Sequence, residues 1–299
     1  MASIIDITLL TESRYLHPRE PNEYVRNILT EDALMRGALE RLGLRVDRAD
    51  WADPAADWSA TSAALFRTTW NYFERFAEFT RWLDSASAQT RLINPPELVR
   101  WNMDKHYLAD LERRGIAVPP TRFVERGERV TLAELHRETG WSETVLKPAV
   151  SGGGRHTYRL RPENAGELEE TFRSLLKDEA MMLQPFFPGI ETEGEVTLVV
   201  IAGRYSHAVL KRAKPGEFRV QDDFGGTVHH YAPSAEEIAF AERVMSVCTP
   251  LPLYGRVDII RDGGRSVVSE LELIEPELWF RFHPPAADRL AEAVRRDYF

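Results

Sequence analysis

Two acidic strands toward the C-terminal end constrain this chain more than any other feature. The first reads Arg256-Val257-Asp258-Ile259-Ile260. The second reads Ser269-Glu270-Leu271-Glu272-Leu273-Ile274 and runs on into Glu275-Pro276-Glu277. Side chains of a strand alternate between faces, so Glu270 and Glu272 point one way while Leu271 and Leu273 point into a core. Adjacent carboxylates on one face repel unless a cation lies between them. Hard oxygen donors at this spacing suit Mg²⁺, which takes one or a few carboxylates and then the phosphates of a nucleotide. Asp258 on the neighbouring strand completes the set. A solvated acidic face on an edge strand is the competing reading, and the rest of the chain weighs against it.

At 299 residues the chain suits two or three packed lobes. Hydrophobic content of 43% with 28% charged residues describes a globular protein in water. A net charge of −9 argues against a sequence-independent nucleic-acid binder, which needs a basic face. The single cysteine, Cys248, excludes an intrachain disulfide and reads as a packing residue. Met1–Leu10 lacks a basic leader and is interrupted by Asp6, so no signal peptide is expected. No stretch approaches the roughly 18 apolar residues of a membrane span. A cytoplasmic protein without membrane or nucleic-acid partners is expected, with self-association into a homo-oligomer left open.

The pattern of elements predicts strands at Ile4–Leu10, Leu44–Val46, Ala63–Phe66 and Leu92–Asn94, with helices at Tyr24–Leu42 and Asn71–Leu83. This alternation indicates a small parallel α/β unit. Beyond it, helices are expected at Met103–Arg114, Thr131–Glu138 and Ala165–Lys177, and strands at Thr144–Pro148, Thr157–Leu160 and Met181–Gln184. Two long strands, Val196–Ile201 and Tyr205–Arg212, form a hairpin through Ala202-Gly203. Ser234 caps a helix to about Cys248, and Pro284–Arg296 closes the chain as a helix.

Lys147-Pro148-Ala149-Val150-Ser151-Gly152-Gly153-Gly154 places a lysine before a glycine run, where backbone N–H groups can approach an anion closely. No Gly-Lys-Ser/Thr follows, which excludes a Walker loop, and a strand rather than a helix follows, which excludes the dinucleotide-binding loop; a plain hairpin is the alternative. Lys105 lies in a first helical turn. Gln184-Pro185-Phe186-Phe187-Pro188 is an extended segment able to offer backbone groups to a base edge, with Met182 and Phe186 or Phe187 flanking a ring, or else a hinge. Arg67, Asn71 and Tyr72 stand where a strand becomes a helix in the N-terminal unit, the place where parallel sheets bind ligands. They are candidates for substrate recognition, while Trp70 reads as packing. The eight histidines show no metal spacing.

The order Lys105, Lys147-Pro148 with its glycine loop, Gln184-Pro185-Phe186-Phe187, Glu195, Asp258 and Glu270-Leu271-Glu272 resembles the ATP-grasp superfamily. The likeness is closest to the glutathione-synthetase-like and RimK-like carboxylate–amine ligases. It extends from about Asn102 to Pro276. The resemblance implies an α/β fold of three lobes, with an N-terminal parallel α/β domain (1–98), a central lid domain (99–190) and a C-terminal domain with the metal site (191–299). It implies ATP held by Lys105, Lys147, the Ser151, Gly152, Gly153 and Gly154 loop, Gln184, Phe186, Phe187 and Glu195, the last as a ribose contact. It implies Mg²⁺ on Asp258, Glu270 and Glu272. An arginine near the Lys214–Phe224 loop meets the transferred phosphate in this superfamily, which points to Arg212 or Arg219. Arginine suits that role because its fork binds phosphate oxygens in pairs. Three positions depart from the usual pattern: Glu272 stands where the superfamily often has Asn, Arg256 is an extra cation beside the metal strand, and Glu275 replaces a small residue.

The activity so implied transfers the γ-phosphoryl group of ATP to a substrate carboxylate, and a nitrogen then attacks the acyl phosphate. The Arg67-Thr68-Thr69-Trp70-Asn71-Tyr72 element is similar to that of the small ligases related to the cyclo-ligase that closes O-ureido-D-serine into a ring. A small amino acid carrying its own attacking nitrogen is therefore the expected substrate, with Arg256 or Arg212 near its carboxylate. An intermolecular amino-acid or peptide ligase, and a nucleotide-binding regulator without turnover, are the alternatives.

Overall fold

The computed structural model describes residues 5–220 and 225–299; the 221–224 part of the Lys214–Phe224 loop lies outside them. The N-terminal region carries β1 (Ile5–Thr11), α1 (Ser13–Leu16), α2 (Glu23–Arg41), β2 (Val46–Asp50), β3 (Thr61–Thr68), α3 (Phe76–Ser87) and β4 (Arg91–Ile93). Its strands form a parallel sheet in the order β2-β1-β3-β4. β1 and β3 read as apolar runs because both their faces are covered. β2 begins later than the apolar pattern suggests. It is a sheet-edge strand of sequence Val-Asp-Arg-Ala-Asp, half-exposed along most of its length, so hydrophobicity does not mark it.

α4 (Pro96–Asn102) and α5 (Tyr107–Arg113) follow, where the sequence reading has one helix from Met103. Pro96 starts α4 at a position that needs no N–H. The break between the helices falls at Lys105, whose backbone N–H bonds instead to the carbonyl of Ala149 at 2.9 Å. The helix expected from Asn71 likewise starts only at Phe76, because residues 69–75 form successive turns.

The middle region holds β5 (Arg122–Val124), α6 (Leu132–Thr139), β6 (Thr144–Pro148), β7 (Tyr158–Leu160), α7 (Ala165–Leu175) and β8 (Met181–Pro185). Its strands pair antiparallel in the order β5-β8-β6-β7, with α6 and α7 on one face around Leu135, Leu146, Phe172 and Leu183. After α8 (Gly189–Thr192) come β9 (Glu195–Ile201), β10 (Arg204–Arg212), β11 (Thr227–His230), α9 (Ala235–Ser246), β12 (Tyr254–Asp262), β13 (Arg265–Glu272) and α10 (Pro285–Tyr298). These strands form an antiparallel sheet, β11-β10-β9-β12-β13. The β9–β10 turn runs through Ala202 and Gly203, both at positive φ (51° and 73°), as a two-residue hairpin demands. Among the described residues no helix is long and apolar enough to cross a membrane.

The regions are stitched together. α10 returns to the N-terminal unit, burying Leu290 and Val294 with Met35 and Leu39 of α2. α4, α5 and α9 pack on one face of the C-terminal sheet through Leu98, Leu108, Leu111 and Val244. The outer edge of β13 is paired by side chains rather than by another strand. Asn102 donates to the Leu271 carbonyl (2.8 Å) and accepts from the Leu273 N–H (2.7 Å). The Tyr107 hydroxyl accepts from the Leu271 N–H, and Asn94 donates to the Leu273 carbonyl.

Candidate active site

The strand register explains how the charged residues meet. Asp258 lies opposite Glu270 on one side and Thr197 on the other, Arg256 opposite Glu272, and Lys211 opposite Glu195. Strand alternation turns these side chains to the same face of the sheet. That face closes one wall of a cavity of about 670 Å³. Lys105 and Tyr107 reach it from beyond α4, Lys147 and the 151–155 loop from the middle sheet, and Arg14, Trp70 and Tyr72 from the N-terminal unit.

The carboxylate oxygens of Asp258, Glu270 and Glu272 lie within 4.8 Å of one another. Cations from the protein surround them. Arg256 donates to both oxygens of Asp258 (3.0 and 2.8 Å) and also contacts Glu272. Lys211 sits between Asp258 (2.8 Å) and Glu195 (2.5 Å), and Lys105 between Glu270 (3.0 Å) and the Ser151 carbonyl (2.5 Å). Burial pushes the Asp258 carboxyl up, but Arg256 and Lys211 outweigh it and hold the group below the usual carboxylate range. Burial acts on Glu270 in the same direction and is outweighed by Lys105 and Lys147. At Glu272 burial prevails over Arg256, and its carboxyl is held well above the ordinary value. Burial also lowers Lys147. The donor set fits a hard divalent cation: three oxygen groups converge, and one carries a raised proton affinity that added positive charge would reverse.

The glycine run lies over this face. Gly153 and Gly154 hold φ of 57° and 70°, a backbone region that other residues rarely adopt. Gly152 rests against the ring of Phe73, where a Cβ would come within 2.6 Å. Arg155 is anchored to Glu179 by two bonds of 2.8 Å. At the far end the cavity is apolar, lined by Pro119, Val145, Phe186, Phe187, Ile190 and Ile260. The Gln184 amide donates to Thr121 there (2.9 Å), and the Arg159 guanidinium lies 3.7 Å from the centre of the Phe186 ring.

Thus the structure brings Lys105, Lys147, Ser151, Gly152, Gly153, Gly154, Gln184, Phe186, Phe187, Glu195, Arg219, Arg256, Glu270, Glu272 and Tyr72 to one cavity, with Asp258 directly behind Arg256. Four expectations fail on position. Arg212 is exposed and reaches back to the Thr192 carbonyl; its neighbour Lys211 takes the inward place, since adjacent strand residues face opposite ways. Arg67 does not line the cavity. It is buried against Asp32 (3.4 Å) and Glu31 (3.9 Å) of α2 and over the Phe280 ring, tying β3 to its neighbours. Asn71 is buried as well, and its carbonyl oxygen accepts from the Trp51 indole at 2.7 Å. Met182 belongs to the hydrophobic core. Trp70, read as packing, lines the cavity and donates its indole N–H to the Glu275 carbonyl (2.8 Å). Arg219 reaches the cavity edge paired with Glu217 of its own loop.

Sequence reasoning missed Lys211, Asn102, Tyr107 and Trp279. The hairpin turn would place Lys211 near Glu195, but a bulge between Tyr205 and His207 shifts the register by one residue. Cys248 is buried and donates to the Val244 carbonyl, with burial pushing its thiol up to about 12, as a packing role requires.

Three sheets around a cleft lined by lysines, a glycine loop and a carboxylate cluster define a class of protein, and the sequence comparisons agree. Residues 7–94 match the family described as D-cycloserine synthetase DcsG, N-terminal domain, and residues 113–262 match the prokaryotic glutathione synthetase ATP-grasp domain. The chain belongs to the ATP-grasp ligases, in the family of D-cycloserine synthetase DcsG. It is 34% identical over 276 residues to the cycloserine biosynthesis protein DcsG of Streptomyces lavendulae, covering 86% of this chain and 90% of that protein. The crystal structure of D-cycloserine synthetase DcsG superposes with a TM-score of 0.86 at 29% identity, covering 98% of this chain and 99% of that one. A RimK domain ATP-grasp protein of Sphaerobacter thermophilus shares the fold, with a TM-score of 0.68 at 22% identity over 96% of this chain and 98% of its own.

Proposed function

We propose that this ligase closes a small amino acid, O-ureido-D-serine or a near relative, into a ring at the expense of ATP. The observation that carries the reading is the convergence of Glu270 and Glu272 with Lys105, Lys147, Lys211 and Arg256 in one cavity, with Asp258 directly behind Arg256 and in reach of both glutamates. Relatedness to DcsG supports the choice of substrate. The three sheets support a division into lobes near residues 98 and 190.

In this reading the adenine lies in the apolar end by Phe186 and Phe187, with Gln184 and the local backbone at its edge. Glu195 serves the ribose. Lys105, Lys147 and the 151–154 backbone face the phosphates. Asp258, Glu270 and Glu272 hold Mg²⁺, which when bound neutralises charge on the phosphate oxygens. The substrate carboxylate oxygen takes the γ-phosphoryl group and ADP departs. The ureido nitrogen bonded to oxygen then attacks the acyl carbon, its proton is lost and phosphate leaves. Hydrolysis removes the carbamoyl group from the ring nitrogen, taking up water and yielding carbon dioxide and ammonia. Arg256 and Lys211, fixed by Asp258 before any ligand arrives, stabilise charge at the transferring group without reorganising. No protein nucleophile is required.

ADP release measured with amino acids and amines, singly and in pairs, tests this. Release with one compound alone, with cyclic product, is expected. A requirement for two compounds would replace ring closure by intermolecular ligation.

A further inference from the structure

Most charged groups lining the cavity are already paired inside the protein. Lys105 engages Glu270, Lys211 engages Glu195 and Asp258, and Arg256 engages Asp258 and Glu272. Glu277 engages Arg281, and Arg219 engages Glu217. Among the described residues Lys147, Glu74 and Glu275 have no such pair, and of the two acids Glu74 is exposed while Glu275 is the more enclosed. It lines the same cavity, half-buried, and among the described residues no lysine or arginine pairs with its carboxylate. Its backbone is pinned, because the Trp70 indole donates to its carbonyl at 2.8 Å. Pro276 follows and limits the chain further.

A second group, four residues on in the same cavity lining, also lacks a partner. Trp279 is 3% exposed and lines the cavity, and its indole N–H has no acceptor within the protein. Its backbone sits at φ 53°, which costs a bulky residue about 1–3 kcal/mol and persists where the surroundings dictate it. Trp70, which holds the Glu275 carbonyl, also lines the cavity, with Tyr15 edge-on at 5.7 Å and Tyr24 at 6.2 Å. The cavity lining therefore includes a carboxyl group with no lysine or arginine paired to it and, four residues on, an indole donor without an acceptor.

We propose that Glu275 and Trp279 form the subsite for the amino end of the substrate, with Glu275 receiving the α-ammonium group and the Trp279 indole N–H donating to an oxygen of the same molecule. The proposal rests on the ligase reading above and deepens it. Zwitterions need a buried anion for the ammonium, and aromatic faces add to its binding. Burial pushes the Glu275 carboxyl up to about 8 and outweighs the attraction of Lys105 and Arg256, and an ammonium group beside it would favour the ionised form. This subsite takes the place that the sequence reading gave to Arg67 and Asn71, both of which are turned away from the cavity.

The test compares O-ureido-D-serine with 3-(ureidooxy)propanoate, the same molecule without its amino group, by ADP release at saturating Mg²⁺ and ATP. Wild-type enzyme should favour the amino acid. Glu275→Gln should raise KM for the amino acid on the order of a hundredfold, the effect of losing one partner of a buried charge pair. KM for the desamino acid should stay within about threefold, since it makes no such pair. ATP affinity should not change. Glu275→Asp should restore part of the preference for the amino acid, and it decides the matter if Glu275→Gln no longer binds ATP. Equal losses for both acids, or a fall in kcat with KM unchanged, would overturn the assignment while leaving the ligase reading intact. A wild-type enzyme that releases no ADP with any amino acid would overturn both.

Discussion

Asn102 offers the sharpest structural test, because its side chain performs the work of a missing strand. β13 is the sheet edge, and Glu270 and Glu272 lie on either side of Leu271. The Leu271 carbonyl and the Leu273 N–H are met by the Asn102 amide at 2.8 and 2.7 Å, and all three residues are buried. Asn102→Ala would strip one carbonyl and one N–H of their partners at once. Each buried group left unsatisfied costs about 1–3 kcal/mol, so the variant should lose about 2–6 kcal/mol. At roughly 2 °C per kcal/mol for a chain of this size, Tm should fall by about 4–12 °C. The freed edge should also loosen the metal carboxylates, raising the Mg²⁺ concentration for half-maximal activity about tenfold, as for groups that orient metal ligands. Scanning calorimetry and a Mg²⁺ titration of ADP release measure the two effects. Asn102→Asp keeps the acceptor for Leu273 but sets a carboxylate against the Leu271 carbonyl, so it should not rescue. A Tm within about 1 °C of wild type, with an unchanged Mg²⁺ requirement, would refute the edge-pairing argument.

Three further outcomes are expected. Glu270→Gln should reduce kcat/KM at least about a hundredfold while Tm holds, because an amide still meets Lys105 but no longer opposes a divalent cation; near-normal turnover at ordinary Mg²⁺ would dismiss the metal assignment. Lys211→Met should lower turnover by a similar factor, roughly a hundredfold, since Asp258 and Glu195 lose their shared cation, whereas Arg212→Met should leave turnover within about twofold. His207 is buried with its Nε2 2.8 Å from the Leu278 carbonyl, and burial lowers its pKa to about 4. The unfolded chain, with histidine near 6.5, binds the extra proton first. Stability is therefore full above about pH 6.5 and falls by up to about 3 kcal/mol as pH drops toward 4. His207→Gln should flatten that slope in urea unfolding measured across the window, and an unaltered slope would exclude His207 as its source.

Local chemistry determined a good part of this protein. Strand alternation made Glu270 and Glu272 neighbours on one face with no help from the rest of the chain. Three glycines after Lys147 announced a tight turn, which Gly153 and Gly154 make at positive φ, and Ser234 with Glu237 closed a capping box as its spacing required. Tertiary structure decided what no local pattern carries. Arg212 has the chemistry for phosphate and Lys211 the position, because a one-residue bulge in β10 selects which of two adjacent side chains points inward. Arg67 looks like a ligand residue at the end of a parallel strand. Yet Glu31 and Asp32, more than thirty residues earlier, claim it when α2 packs on the sheet. Lys105 turns into the cavity only because its N–H finds the Ala149 carbonyl across the fold and interrupts the helix. Short-range periodicity is set by backbone geometry within a few residues. The partner of a charged side chain is chosen by burial, which depends on which distant surface arrives to exclude water.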